Sequence, residues 1–246
     1  MKNLIKSVFL LSIFLLSIQN IYSQNLPYTP PVVTINANFN GNLAALDFYG
    51  TYYSEQDQGN YGAVWGRGAS LNFKFGIGKN KSFRILAGFE YNKMINANDD
   101  SFPFFTIDPK SPATDYDIFT GVLGGEYVTK PRCPERFYIG GGFTTNRISA
   151  PVSNKNGPID PAYRFGMQVH GGYEYVFGQK GTFGINIGLK FNYMNLFNSG
   201  SDLSPGNANL NDGVGLFGFK RKIAVTSLNL GVVFNLGQKP FPTKKR

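Results

Sequence analysis

The stretch FGINIGLKFNYMN, residues 183–195, alternates apolar and polar side chains over most of its length. Every second residue from Phe183 to Tyr193 is aliphatic or aromatic, and the residues between them are Gly, Asn or Lys. A period of two places these two classes on opposite faces of a β-strand. Gly weakens a strand that faces water, so the Gly- and Asn-rich face is an unusual outer surface for a soluble protein. The segment therefore raises the question of which face meets the solvent, and whether that solvent is water.

The same alternation recurs in seven other segments of the chain. Together they predict eight strands at 32–43, 62–77, 83–94, 115–128, 137–147, 162–177, 182–195 and 221–236. The segment 115–128 is the least regular, because Ile118 and Val122 share a face with Glu126. Most segments have ten residues or more, whereas strands of soluble proteins average about five or six. A strand that crosses a membrane needs about 9–11 residues, which fits these lengths.

The connections between the predicted strands alternate in length. The short ones lie at 78–82, 129–136 and 178–181. The long ones, rich in Asn, Asp, Ser, Pro and Gly, lie at 44–61, 95–114, 148–161 and 196–220. Outer-membrane barrels have short periplasmic turns and long extracellular loops in this order. The pattern predicts an all-β fold, a closed antiparallel transmembrane up-and-down barrel of about eight strands, with the apolar face toward lipid and the Gly/Asn face lining a narrow lumen.

Composition and charge support an exported membrane protein. Charged residues make up 16% of the 246-residue chain, against about 25% in soluble domains. The net charge is +9, which suits contact with anionic lipid or glycan. We expect no nucleic-acid partner, because the basic residues are scattered and the chain leaves the cytoplasm. The single cysteine, Cys133, cannot form an internal disulfide and is not a metal site by itself.

The N-terminus predicts a cleaved signal peptide over residues 1–23. Lys2 and Lys6 precede an apolar run from Val8 to Ile18, which is too short to span a bilayer as a helix. The barrel is then predicted over 24–237, followed by a short basic periplasmic tail at 238–246.

The pattern resembles the small eight-stranded outer-membrane barrels of the OmpA/OmpX type, and is similar to the barrel domains of Bacteroidota. The resemblance covers residues 32–237 and rests on the signal end YSQ, the Asn-rich loops and the last strand LNLGVVFNL. It implies an outer-membrane location, contact with lipid and lipopolysaccharide, assembly by the barrel assembly machinery, and an unknown extracellular ligand or envelope protein bound by the loops. It implies no cofactor. One departure is GQKPFPTKKR after the last strand, where many such proteins end on an aromatic residue.

Strand parity predicts a network of charges inside the barrel. Lys74, Arg84, Glu126 and Glu174 all have inward parity, and counting strand direction from a periplasmic N-terminus places them in the periplasmic half of the lumen. Isolated charges are costly there, so we expect the two cations to pair with the two carboxylates. The expected consequence is a plugged lumen.

The only histidine, His170, defines a second possible lumen site together with Lys190 and Glu90. Glu174 lies four residues from His170 on the same face, so a His–Glu pair of a lipid deacylase or phospholipase is the catalytic alternative. That chemistry also needs a nucleophile or metal close by, and no serine shares the Tyr163–Phe177 face. We therefore predict no catalytic residue and no metal.

Three alternatives to a structural or interaction role remain at the sequence level. They are a barrel enzyme acting on lipid, a narrow pore, and a secreted lipocalin-like carrier with its apolar face inside. The acidic, aromatic loop NDDSFPFFTIDPKSPATDYD, residues 98–117, is a candidate docking loop. Its carboxylates do not have the spacing of a calcium-binding loop.

Overall fold

A computed structural model of the chain describes residues 29–50, 61–95, 114–153, 159–178, 181–197 and 221–238. The predicted signal peptide, nearly all of the basic tail and the central part of each predicted long loop lie outside these residues. Within the described ranges, no helix is long and apolar enough to cross a membrane.

The described residues form eight strands in one closed sheet. They are β1 (Val33–Leu46), β2 (Trp65–Ile77), β3 (Phe83–Ile95), β4 (Thr114–Val128), β5 (Glu135–Ser153), β6 (Ile159–Phe177), β7 (Phe183–Phe197) and β8 (Ile223–Leu236). Each strand pairs antiparallel with the next, and β8 pairs with β1 from Val33↔Leu236 to Leu46↔Ile223. The predicted eight-stranded antiparallel up-and-down barrel is confirmed.

The hairpin between β5 and β6 differs from the prediction. Strand β5 ends at Ser153 and β6 begins at Ile159, so the connection between them is much shorter than the loop predicted at 148–161. The reason is that Ile148, Ala150 and Ala162 are apolar and buried, so the extended strands carry them into the barrel. The register shifts between Ile148 and Ala150, one of three irregularities that cluster at this end, hereafter the loop end. Bulges of this kind are common at barrel rims.

The opposite end, hereafter the turn end, has tight connections. Gly78 and Gly178 begin two of them with φ angles of 74° and 71°, a left-handed conformation that glycine adopts without steric cost. These turns allow consecutive strands to pair over their full length at this end of the barrel.

The two faces of the sheet have opposite character. The outward face is apolar, and Phe89 is 70% exposed and Ile139 68% exposed. The inward face is mainly polar over the turn end and the middle of the barrel, where Asn36 and Asn192 are each 1% exposed, and Val128, Val176 and Val233 are buried apolar exceptions. A water-soluble barrel would need the reverse arrangement, because burial of apolar surface is what drives folding in water. The lipocalin-like alternative, with its apolar face inside, is therefore wrong.

Candidate functional site

Four charged side chains from four strands meet at the turn end of the lumen. Lys74 Nζ of β2 lies 3.0 Å from Glu126 Oε2 of β4 and 3.0 Å from Glu174 Oε1 of β6. Arg84 Nη1 of β3 lies 3.0 Å from Glu126 Oε1 and 3.0 Å from Glu174 Oε2. Each cation therefore contacts both carboxylates, and all four side chains are at most 4% exposed. We call these four residues the charge tetrad.

Strand pairing and small neighbours position the charge tetrad. Arg84 and Glu126 are direct cross-strand partners, whereas the remaining contacts cross the lumen between strands that are not neighbours. Glu126 is also paired with Gly140, where an added Cβ would come within 2.6 Å of the Glu126 Cβ. A larger residue at 140 would displace the carboxylate, so glycine at this position makes room for the ion pairs.

Tyr138 completes the turn end of the lumen. Lys74 Nζ lies 4.3 Å from the centroid of its ring, and the Tyr138 hydroxyl donates a 2.8 Å hydrogen bond to Asn186 Oδ1. The hydroxyl occupies the space that side chains would take at Gly172 and Gly188, because a Cβ at either position would lie 2.5 Å or less from it. Glycine at positions 172 and 188 therefore makes room for the large inward side chain of Tyr138.

Side-chain amides fill the middle of the lumen. Asn186 Nδ2 donates to Asn38 Oδ1 at 2.9 Å, and Asn42 Nδ2 donates to Asn92 Oδ1 at 2.9 Å. Both contacts join strands far apart in the sequence. Because these groups are buried and bonded to one another, they tie together strands that are two apart around the closed sheet and leave little free volume.

The three residues of the second predicted polar site line one small cavity, where His170 and Lys190 are direct cross-strand partners. Lys190 forms a buried ion pair with Glu90 across the lumen. The His170 Nε2 atom lies 3.5 Å from Glu126 Oε2, and Nδ1 lies 3.4 Å from Gln168 Nε2. The carboxylate that His170 contacts is therefore Glu126, and not the Glu174 of the catalytic alternative considered from the sequence. The reason is the register, because His170 pairs with Gly140, which is itself paired with Glu126.

The loop end of the lumen contains a buried apolar cluster, which sequence analysis missed, and the buried cation Arg221 lies over the ring of its member Tyr61. Met94, Ile118 and Met194 are at most 1% exposed and belong to one buried cluster, hereafter the apolar plug. Its members come from six strands and the segments beside them: Phe48, Tyr61, Ala63, Met94, Tyr116, Ile118, Ile148, Ala150, Ala162, Met194, Ile223 and Val225. The signal was present in the strand parity, since Met94 has the inward parity of Glu90 and Met194 that of Lys190.

The enclosed space in the polar part of the lumen is small. A cavity of about 30 Å³ lies among Asn36, Gln168, His170, Lys190 and residues around them, which is room for about one water molecule. In the part of the chain that the structure describes, no group of three or more His, Cys, Asp or Glu side chains is arranged to hold a metal ion. The interior is therefore a filled core with many hydrogen bonds between its polar groups, although some buried atoms, such as Asn36 Oδ1 and Gln168 Oε1, have no partner among the described residues.

Comparison with known proteins gives structural likeness only. No family model and no curated protein matches the chain. Neisserial surface protein A is 15% identical to this chain with a TM-score of 0.48, and the match covers 83% of this chain and 97% of the Neisserial protein. The outer membrane protein OprG of Pseudomonas aeruginosa is 9% identical with a TM-score of 0.46, covering 88% and 99%. The attachment invasion locus protein Ail of Yersinia pestis, in complex with a heparin analogue, is 11% identical with a TM-score of 0.43, covering 82% and 97%.

At these identities and TM-scores the likeness says nothing about what the chain binds or does. The architecture is established by the strand pairing of the chain itself: it is a closed eight-stranded antiparallel β-barrel with an apolar outer face and a filled lumen.

Proposed function

We propose that the protein is an outer-membrane barrel with a structural or interaction role, exerted through the loops at its loop end. The observation that carries the membrane location is the belt of exposed apolar side chains around a closed sheet. In water such a belt would expose far more contiguous apolar surface than soluble monomers do. In a bilayer it faces hydrocarbon, and the closed sheet leaves no unpaired strand edge.

The filled lumen supports an interaction role over transport. A solute that entered from the loop end would meet the apolar plug, then the bonded asparagines and finally the charge tetrad. Eight strands enclose only enough space for their own side chains. A barrel of this kind presents its loops on a rigid support, which suits binding of an extracellular ligand or an envelope protein.

The geometry of His170 disfavours the alternative of a lipid-cleaving enzyme. Its ring lies in the lumen between Glu126 and Gln168, whereas a membrane lipid approaches the outer wall. We propose that this histidine is part of the polar filling of the lumen. Replacement of His170 by Gln is then expected to leave any lipid turnover by the purified protein unchanged.

Membrane topology tests the proposal. A small epitope inserted at Ser111 or Asn207, in two predicted long loops, should be labelled by antibody on intact cells. An epitope at Lys79, in a turn at the other end, should be labelled only after the outer membrane is permeabilised. The protein should fractionate with outer membranes and resist extraction by carbonate.

The matched control is the same epitope at Lys79 in cells with a permeabilised outer membrane, which shows that the tag is accessible to antibody. Labelling of Lys79 but not Asn207 on intact cells would invert the barrel. Recovery of the protein in a soluble fraction, with all sites labelled, would contradict the membrane location.

A further inference from the structure

The outward wall of the barrel contains a groove whose floor is made by two small residues. Gly121 of β4 and Thr145 of β5 are direct cross-strand partners. Phe89 stands beside Gly121 on β3, and Phe165 stands beside Thr145 on β6. The two phenylalanines are 70% and 49% exposed, so they form the side walls of a depression over the pair.

Large side chains also close the groove along the barrel axis. Toward the turn end it is bounded by Leu123 and Phe143, which are 64% and 66% exposed. Toward the loop end it is bounded by Phe119 and Arg147. Two contiguous cavities share the floor and the side walls, with volumes of about 600 Å³ toward the turn end and about 310 Å³ toward the loop end. This space is in the range of small-molecule sites and is elongated along the axis.

A cation marks the loop end of the groove. Arg147 is partly exposed and lines the smaller cavity, the one toward the loop end. Its guanidinium carbon lies 5.9 Å from the Phe119 ring centroid. Among the described residues, no ion pair engages it. The nearby carboxylates have other partners, because Asp115 pairs with Lys93 at 3.1 Å and Asp117 accepts a 2.8 Å hydrogen bond from the Tyr91 hydroxyl. Arg147 therefore presents an available positive charge directly above an apolar groove.

We propose that this groove is a binding site for one anionic lipid of the surrounding leaflet. One acyl chain lies over Gly121 and Thr145 between the two phenylalanine walls, and the lipid phosphate pairs with Arg147. The direction fits, because the next outward pair toward the loop end, Asp117 and Ser149, is polar, as expected of side chains at the level of the headgroups. Guanidinium groups bind phosphate in a bidentate geometry that favours them over other cations.

The inference rests on the proposed membrane location, since only a bilayer places lipid against this wall. The groove and Arg147 add a selectivity for lipid headgroups that a uniform apolar belt lacks. A belt without the groove or the cation would exchange all lipids alike, whereas this site distinguishes an anionic from a zwitterionic headgroup.

Native mass spectrometry of the refolded protein in detergent tests the site. The probes are dimyristoyl phosphatidylglycerol and dimyristoyl phosphatidylcholine, which have identical chains and differ in headgroup charge. The wild-type protein should retain one phosphatidylglycerol in preference to phosphatidylcholine. Arg147→Gln should weaken phosphatidylglycerol binding about tenfold, the effect of losing one charge-assisted hydrogen bond, and leave phosphatidylcholine binding unchanged. Arg67→Gln, an exposed cation near the same height on β2, is the matched control and should have no effect.

The groove itself is tested by filling it. Gly121→Leu should abolish retention of the lipid, because an added Cβ points toward Thr145 Oγ1 at 2.9 Å and the rest of the side chain covers the floor. Gly125→Leu is the matched control, on the same strand and face but outside the groove, where an added Cβ meets only a backbone oxygen at 3.5 Å. Thr145→Phe fills the groove from the neighbouring strand and serves if Gly121→Leu does not refold.

Equal binding of the two lipids, or equal retention by the Gly121 and Gly125 variants, would overturn the lipid site. A doubled mass in place of bound lipid would overturn it in favour of a second copy of the chain. Insertion into liposomes, measured separately by flotation, distinguishes the two proposals: a protein that floats with liposomes but shows no lipid selectivity contradicts only the lipid site.

Discussion

At the scale of single residues, the charge tetrad is the feature most sensitive to substitution. Arg84 contacts both Glu126 and Glu174, so Arg84→Leu leaves two buried carboxylates that share one cation, Lys74. We expect a loss of about 3–5 kcal/mol in the free energy of unfolding, as for other broken buried ion pairs. Denaturant unfolding of the refolded barrel in lipid measures it.

The double variant Arg84→Leu/Glu126→Leu provides the control for this prediction. It removes one charge of each sign and leaves Lys74 paired with Glu174 at 3.0 Å. It should therefore be more stable than the sum of the two single variants implies. Single effects within experimental error that add without coupling would show that these side chains do not interact in the folded barrel.

At the scale of one strand, β4 carries side chains into two different surroundings. Ile118 belongs to the apolar plug and is fully buried, whereas Leu123 points outward and is 64% exposed. Ile118→Ala should cost about 2–5 kcal/mol, because it leaves a cavity that the barrel wall cannot close. Leu123→Ala should cost less in lipid, about 1–2 kcal/mol, because lipid chains fill the space and only the transfer free energy is lost.

The two alanine variants are compared by unfolding in the same lipid. A greater loss for Leu123→Ala than for Ile118→Ala would contradict the inward orientation of Ile118. The same comparison explains the irregular alternation in this strand, because its inward face changes from polar near Glu126 to apolar near Ile118 as it enters the apolar plug.

At the scale of the whole molecule, the prediction concerns conductance. The charge tetrad and the apolar plug block the lumen at two levels, so the wild-type barrel should produce no discrete current steps in planar bilayers, where a general porin does. Flotation with liposomes confirms that the protein has inserted. Reproducible ion-sized steps from inserted wild-type protein would contradict a filled lumen and favour the pore.

The sequence by itself determined the number of strands, their approximate positions and the direction in which most side chains point. This is because the two-residue period is local, and the contrast between Phe183 or Leu189 and Asn186 or Lys190 is strong enough to identify the two faces. The same parity predicted that the four charges of the tetrad point inward, and it contained the signal for Met94 and Met194. Sequence analysis overlooked Met94 and Met194 because an apolar residue at an inward position resembles an outward residue whose register is shifted by one.

Strand direction predicted that the four charges of the tetrad meet, but only the tertiary structure decided which individual side chains are in contact. Lys74 and Glu174 belong to strands on different sides of the barrel, and His170 lies against Glu126 although Glu174 is closer in sequence. These contacts depend on the stagger between strands and on closure of the sheet. Both are properties of all eight strands together, and no local sequence pattern encodes them. The groove has the same origin, because Gly121 and Thr145 become neighbours only through the register of β4 and β5.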